Sequence, residues 1–182
     1  MTNFITKINH TVDLSRLSSD LDSILEMTSW DPENQIGLRH RPNCVDPWKD
    51  SIGSIHDPIT NVIHAREQDF NIWNADCPQY TKSILEDFGQ QQGLTWGRIR
   101  FMRAQPKHGL SMHWDKEPRY HIVLKTNISA IFGECFRNDP VRATAYHMPA
   151  DGHWYRVDTT REHFVYNGGR EPRIHLVCCP VI

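Results

Sequence analysis

From Gly97 to its end the chain is a succession of short runs rich in β-branched and aromatic residues, each closed by turn residues. The runs cover 98–103, 111–114, 120–125, 130–136, 143–148, 153–157, 163–166 and 173–179. The separators include Pro106-Lys107-His108-Gly109, Lys116-Glu117-Pro118, Asn138-Asp139-Pro140, Asp151-Gly152 and Asn167-Gly168-Gly169. Eight strands in about 85 residues is the rhythm of a sandwich or barrel. The expected fold is mainly β, an antiparallel jelly roll with supporting helices packed outside it.

The amino-terminal half supplies those helices. Leu14, Leu17, Leu21, Ile24 and Leu25 recur at helical spacing over 13–27, with Asp13 as the N-cap. A second helix is expected over 77–88, opened by Pro78 in its first turn. Between them Asp31-Pro32, Asp46-Pro47 and Asp57-Pro58 read as turns, and 36–40 reads as a short strand. No Gly/Ser-rich or Pro-rich linker interrupts the chain, so 1–182 reads as one domain. Residues 1–95 form a helical and irregular support region, and 96–182 form the β core.

Composition excludes several classes of function. Twenty Lys+Arg against 22 Asp+Glu give a formal charge of −2, and no basic run occurs, which argues against nucleic acid or a membrane surface as partner. No apolar stretch approaches membrane-spanning length, and the first residues lack a secretory pattern. The five cysteines are odd in number and form no C-x-x-C pair, while Cys178 and Cys179 are adjacent. That usage fits a reducing compartment, so a cytoplasmic location is expected.

Eleven histidines are the unusual count. His113-Trp114-Asp115 is the informative local motif, because on a strand residues i and i+2 project to one face. Such a pair supplies two ligands of the 2-His-1-carboxylate arrangement that holds Fe(II) and leaves positions open for cosubstrate and O2. H-x-D alone is common by chance. His163, entering from a distant strand, completes the trio, and Arg173 follows it by ten residues. A guanidinium there suits the distal carboxylate of 2-oxoglutarate through a bidentate fork. Arg173, His175, Val177 and Cys179 share one face of the last strand, and Asn167-Gly168 reads locally as a tight hairpin.

Taken in order, Met112-His113-Trp114-Asp115, Arg119-Tyr120-His121, Met148-Pro149-Ala150-Asp151-Gly152 before Trp154, His163 with Asn167, and Arg173-Ile174-His175-Leu176-Val177 resemble a known family. It is the aspartyl/asparaginyl β-hydroxylase family, which includes bacterial proline hydroxylases, within the Fe(II)/2-oxoglutarate dioxygenases. The resemblance implies a double-stranded β-helix of cupin type over Gly97–Val181. It also implies that the Asn167-Gly168-Gly169 turn crosses between facing sheets, against the local hairpin reading.

Carried over by position, His113, Asp115 and His163 match the metal ligands and Arg173 matches the 2-oxoglutarate clamp. His121 corresponds to a second polar contact to the cosubstrate, and Arg119 to a residue near the primary substrate. Animal members lack the carboxylate ligand, so Asp115 allies the chain with the bacterial-type branch. The apolar Met102 stands near where those animal enzymes supply a hydroxyl.

The implied activity is hydroxylation of an amino acid or a peptidyl side chain of Asp/Asn or Pro type, using Fe(II), 2-oxoglutarate and O2 and releasing succinate and CO2. The contrasting reading is a non-catalytic cupin-like protein that binds a metal or a carboxylate; it leaves Arg173 without a purpose. His175 is either a cavity residue or a satisfied core histidine, and Trp154 is either core or substrate wall. Arg39 and Trp48 lie in an irregular segment whose default is a solvated loop.

Overall fold

The computed structural model of the protein describes residues 3–30, 33–57, 59–60, 62–136 and 139–181. The expected turn at Asp31-Pro32, together with Pro58 and Asn138 of two further turns, lies outside the described residues. The chain divides into two compact units. One comprises Met1–Leu14 and Arg103–Val177, and the other comprises Ser15–Met102 and Cys178–Ile182.

The first unit holds β1 (Ile5–Thr11), β6 (Gly109–His113), β7 (Arg119–Lys125), β8 (Ala130–Phe136), β9 (Asp139–Tyr146), β10 (His153–Val157), β11 (His163–Asn167) and most of β12 (Arg173–Pro180). One sheet runs β1-β10-β7-β12 and the other β6-β11-β8-β9. The pairings of β1 with β10, β10 with β7, β11 with β6 and β8, and β8 with β9 are all antiparallel. Phe4, Val123, Tyr155 and Val157 from the first layer meet Phe132, Val165 and Met148 from the second in one buried cluster. This is the jelly roll that the alternating runs predict.

All eight expected strands after Gly97 are present, the first of them being β5 (Trp96–Ala104). The turn at Asn167-Gly168-Gly169 joins β11 in one sheet to β12 in the other, so it crosses between sheets. The local hairpin reading is therefore corrected. The Asn167 amide explains the crossing: its Nδ2 donates to the carbonyls of Ala104 and Glu171, pinning the turn from inside. Strand β1 is an addition that the sequence pattern did not yield, because its side chains Thr6, Lys7 and Asn9 are polar and exposed. It gains its place by pairing with β10, from Ile5 opposite Val157 to Ile8 opposite Trp154.

The second unit contains α1 (Leu14–Leu25) from Ser15 onward, α2 (Gln79–Gln92), β2 (Gln35–Gly37), β3 (Arg39–His40), β4 (Ile72–Trp73) and β5 through Met102. Leu17, Leu21 and Ile24 of α1 are buried, as their spacing predicts. Pro78 sits at the N-cap of α2, and Gly93 ends that helix at φ 64°, a left-handed conformation that favours glycine. The expected strand over 36–40 is two elements with different partners: β2 pairs with β5, and β3 pairs with β4. Glu67 and Arg98 form a buried ion pair at 2.8 Å, and Arg98 also donates to the Gly53 carbonyl.

Candidate metal centre

Strand pairing assembles the centre. His113 is the last residue of β6 and His163 the first of β11, and they are direct partners in the ladder. Their rings lie 4.3 Å apart, centroid to centroid. Asp115 stands two residues beyond the end of β6, not on the strand as the i, i+2 argument assumed. Its position comes instead from its backbone N–H, which donates to the Thr159 carbonyl at 2.8 Å. The Thr159 hydroxyl in turn donates to the Glu117 carbonyl at 2.7 Å, tying the two loops together. One ligand atom from each of His113, Asp115 and His163 then falls within 4.8 Å of the others.

Each of the three side chains is oriented. His113 Nδ1 contacts the Ser111 carbonyl at 2.7 Å, and His163 Nδ1 contacts the Arg161 carbonyl at 2.9 Å. A carbonyl only accepts, so both rings carry their proton on Nδ1 and present the Nε2 lone pair. Burial, aided by neighbouring His113, outweighs the hydrogen bond to the Arg161 carbonyl and leaves the His163 pKa below the ordinary histidine value. Neutral imidazole is the form a metal needs. Burial pushes the Asp115 carboxyl up, but the Arg119 charge and hydrogen bonds outweigh it and hold the group below its usual range. Arg119 contacts both carboxylate oxygens at 3.2 Å, through Nε and Nη2.

Beside the trio lies a second cluster on neighbouring strands. His121 of β7 and Arg173 and His175 of β12 are all buried. Arg173 Nη2 donates to His175 Nδ1 at 3.0 Å, and His175 Nδ1 lies 3.4 Å from His121 Nδ1. Burial lowers the Arg173 pKa to about 9. Burial, then the Arg173 charge, holds both imidazoles well below their ordinary value and therefore neutral. Nε2 of His121 and Nε2 of His175 are buried without a hydrogen-bond partner among the described residues. None of the ion pairs among the described residues gives Arg173 a carboxylate. A buried guanidinium flanked by uncommitted imidazole nitrogens is complementary to a carboxylate.

Phe132 of β8 joins the two clusters, and sequence reasoning missed it. Its ring lies 6.1 Å from that of His163 and 5.4 Å from that of His121, and the Arg173 guanidinium carbon sits 5.1 Å above it. Only its place on the inward face of an alternating strand marked it.

The other residues singled out lie elsewhere. Trp154 is fully buried and points to the opposite face of β10 from Tyr155. Arg39 belongs to the second unit, where it donates to the carbonyls of Trp96 and Asn71.

A two-histidine, one-carboxylate trio inside a jelly roll defines the non-haem Fe(II) oxygenase class. The family model for aspartyl/asparaginyl beta-hydroxylase matches residues 13–180. The chain belongs to that family, and so to the oxygenases that use Fe(II), 2-oxoglutarate and O2. No curated protein matches it by sequence.

Among solved structures it is similar to IDO from Bacillus thuringiensis, with TM-score 0.55 and 12% identity over 98% of this chain and 90% of that one. It is also similar to a Pseudomonas putida prolyl-4-hydroxylase, with TM-score 0.53 and 13% identity over 98% and 92%. At these identities the likeness shows the fold. A Burkholderia pseudomallei oxidoreductase of the 2OG-Fe(II) oxygenase family aligns with 56% of this chain, which spans 56% of that structure's length, at 19% identity and TM-score 0.43.

Proposed function

We propose that the protein hydroxylates an amino acid or a peptidyl side chain of Asp/Asn or Pro type, with His113, Asp115 and His163 holding Fe(II). Arg173 binds the distal carboxylate of 2-oxoglutarate, and His121 contacts the cosubstrate at its metal-facing end. Fe(II), when bound, supplies O2 activation coupled to the decarboxylation of 2-oxoglutarate to succinate and CO2. The protein's own share is positional. The Ser111 and Arg161 carbonyls fix which imidazole nitrogens face the metal, Arg119 holds the Asp115 carboxylate, and Phe132 walls the space between the two clusters.

One observation carries this reading: a buried guanidinium with no carboxylate partner among the described residues stands in the cluster that adjoins the histidine–aspartate trio. Metal binding alone has no need of that charge, so a non-catalytic cupin is not favoured. Arg119 occupies itself with Asp115, and that contact supports a role in orienting a ligand more than direct pairing with substrate. All five cysteines are free, which suits a reducing compartment, and no helix among the described residues is long and apolar enough to cross a membrane.

Anaerobic calorimetry tests the two-cluster assignment. Fe(II) is expected to bind the wild type and to lose its affinity in His163→Ala, whereas 2-oxoglutarate binding to the Fe(II) form is expected to fail in Arg173→Ala with Fe(II) binding kept. Loss of iron in Arg173→Ala would overturn the division of roles.

A further inference from the structure

Arg173 and His175 stand two residues apart on β12 and so project to one face of the strand. Both are buried, at 6% and 1% exposure. The sequence leaves His175 open between a cavity residue and a satisfied core histidine, and its hydrogen bonds decide between them. Arg173 Nη2 donates to His175 Nδ1 at 3.0 Å, the one hydrogen bond of the guanidinium among the described residues. His121 Nδ1, 3.4 Å from the same nitrogen, is beyond the usual reach of an N–H donor.

These contacts fix the proton on the ring. A guanidinium has only donors and no acceptor, so His175 Nδ1 must offer a lone pair. Burial, then the Arg173 charge, keeps the ring neutral, which leaves its proton on Nε2. That tautomer is the reverse of His113 and His163, whose Nδ1–H groups donate to backbone carbonyls. His175 Nε2 is buried without a partner among the described residues, so this is not a satisfied core histidine.

The guanidinium is thereby held on two sides. Its Cζ lies 5.1 Å over the Phe132 ring, and its Nη2 is tied to His175. An arginine has many rotamers, and a ligand that must first order one loses affinity in doing so. An arginine already fixed presents its remaining N–H groups as a fork in one place. Where a diacid is gripped at both ends, the place of the fork sets the chain length that fits.

We propose that His175 is a positioning residue whose Nδ1 lone pair holds Arg173 where the distal carboxylate of 2-oxoglutarate arrives. It thereby sets selectivity against oxaloacetate, the diacid shorter by one methylene. This rests on the reading of Arg173 as the cosubstrate clamp and deepens it. His175 acts through Arg173 and has no part in holding the metal.

Anaerobic calorimetry on the Fe(II) protein tests this, with 2-oxoglutarate and oxaloacetate titrated into the wild type, His175→Leu and His175→Asn. Leucine fills the space without an acceptor. Asparagine sets its Oδ1 near the place of the imidazole Nδ1 but lacks the Nε2–H. His175→Leu is expected to bind 2-oxoglutarate about tenfold or more weakly, to keep its Fe(II) affinity, and to prefer 2-oxoglutarate over oxaloacetate less. His175→Asn is expected to stay within about threefold of the wild type in both affinity and preference. Long-range proton–nitrogen NMR spectra of the metal-free wild type are expected to show the His175 proton on Nε2.

Wild-type affinity and preference in His175→Leu overturn the proposal, and so does a His175→Asn protein as weak as His175→Leu. An equal loss for both diacids, or a loss of Fe(II), makes His175 a structural residue only. A proton on Nδ1 contradicts the hydrogen bond itself, and the spectra together with His175→Asn decide the question even where His175→Leu does not fold. Arg173→Ala separates the levels of failure. Where it loses 2-oxoglutarate and His175→Leu does not, only the positioning role is wrong. Where the wild-type Fe(II) protein binds no 2-oxoglutarate, the cosubstrate reading of Arg173 falls as well.

Discussion

His113 and His163 are cross-strand partners whose Nδ1 atoms each meet the carbonyl two residues earlier in their own segment, Ser111 and Arg161. The same local geometry thus fixes both tautomers. It arises because β6 ends, and β11 begins, at one end of the same sheet. The Arg161 carbonyl is itself steadied, since the Arg161 side chain bonds Glu134 at 2.6 Å and Asp158 at 3.1 Å.

Arg119 decides between two roles. As the residue that holds Asp115, its replacement by Gln is expected to weaken Fe(II) binding about 10- to 100-fold, the usual effect of removing a partner behind a metal ligand. Calorimetry with Fe(II) measures this directly. Unchanged iron affinity with a raised KM for the primary substrate would assign Arg119 to the substrate instead.

Arg173 carries a buried charge with no carboxylate beside it among the described residues. Arg173→Met is expected to leave the Tm of the cosubstrate-free protein unchanged or raised, because a buried charge is replaced by an apolar chain of similar length. 2-Oxoglutarate is expected to raise the Tm of the wild-type Fe(II) protein under anaerobic conditions and to have no effect on the variant. Thermal unfolding with and without 2-oxoglutarate reads both effects.

Much of this was legible in the sequence, and the limits have physical causes. The eight strands after Gly97 were readable because alternating apolar residues and turn chemistry agree there. The polar strand β1 was not readable, because only its pairing with β10 makes it a strand. The trio was legible as residue types in order, but Asp115 reaches it through a loop contact with Thr159 that no local pattern encodes. Phe132 looked like any core aromatic until the fold set His121, His163 and Arg173 around it.

Asp151 gives the fold an acid-sensitive contact. Burial pushes its carboxyl up, but hydrogen bonds from Lys7, the His153 backbone and Tyr155 prevail and lower its pKa to about 2, below the ordinary 3.8. A depressed carboxylate contributes stability that is present above its unfolded pKa and is lost as pH falls through the folded one. The contribution is therefore expected in full above about pH 4 and gone below about pH 2. Asp151→Asn should cost about 1 kcal/mol at neutral pH, discounted because Lys7 is half exposed, and should flatten the slope of stability between those limits. Urea unfolding at a series of pH values checks both.

Glu67 and Arg98 anchor the second unit through a pair that is almost fully buried. Glu67→Ala strands the guanidinium and is expected to destabilise the protein by about 3–5 kcal/mol in chemical denaturation. A loss under about 1 kcal/mol would mean that Arg98 finds water or another acceptor.

The most direct test of the central claim is succinate formation from 2-oxoglutarate, with Fe(II) and ascorbate, measured together with a +16 mass shift on a panel of amino acids and peptides. The wild type is expected to give succinate and hydroxylated product in step, and His113→Ala to give neither. Succinate and product at the same rate in His113→Ala, or no turnover of the wild type above that variant with any member of the panel, would contradict the assignment of the His113–Asp115–His163 centre to hydroxylation.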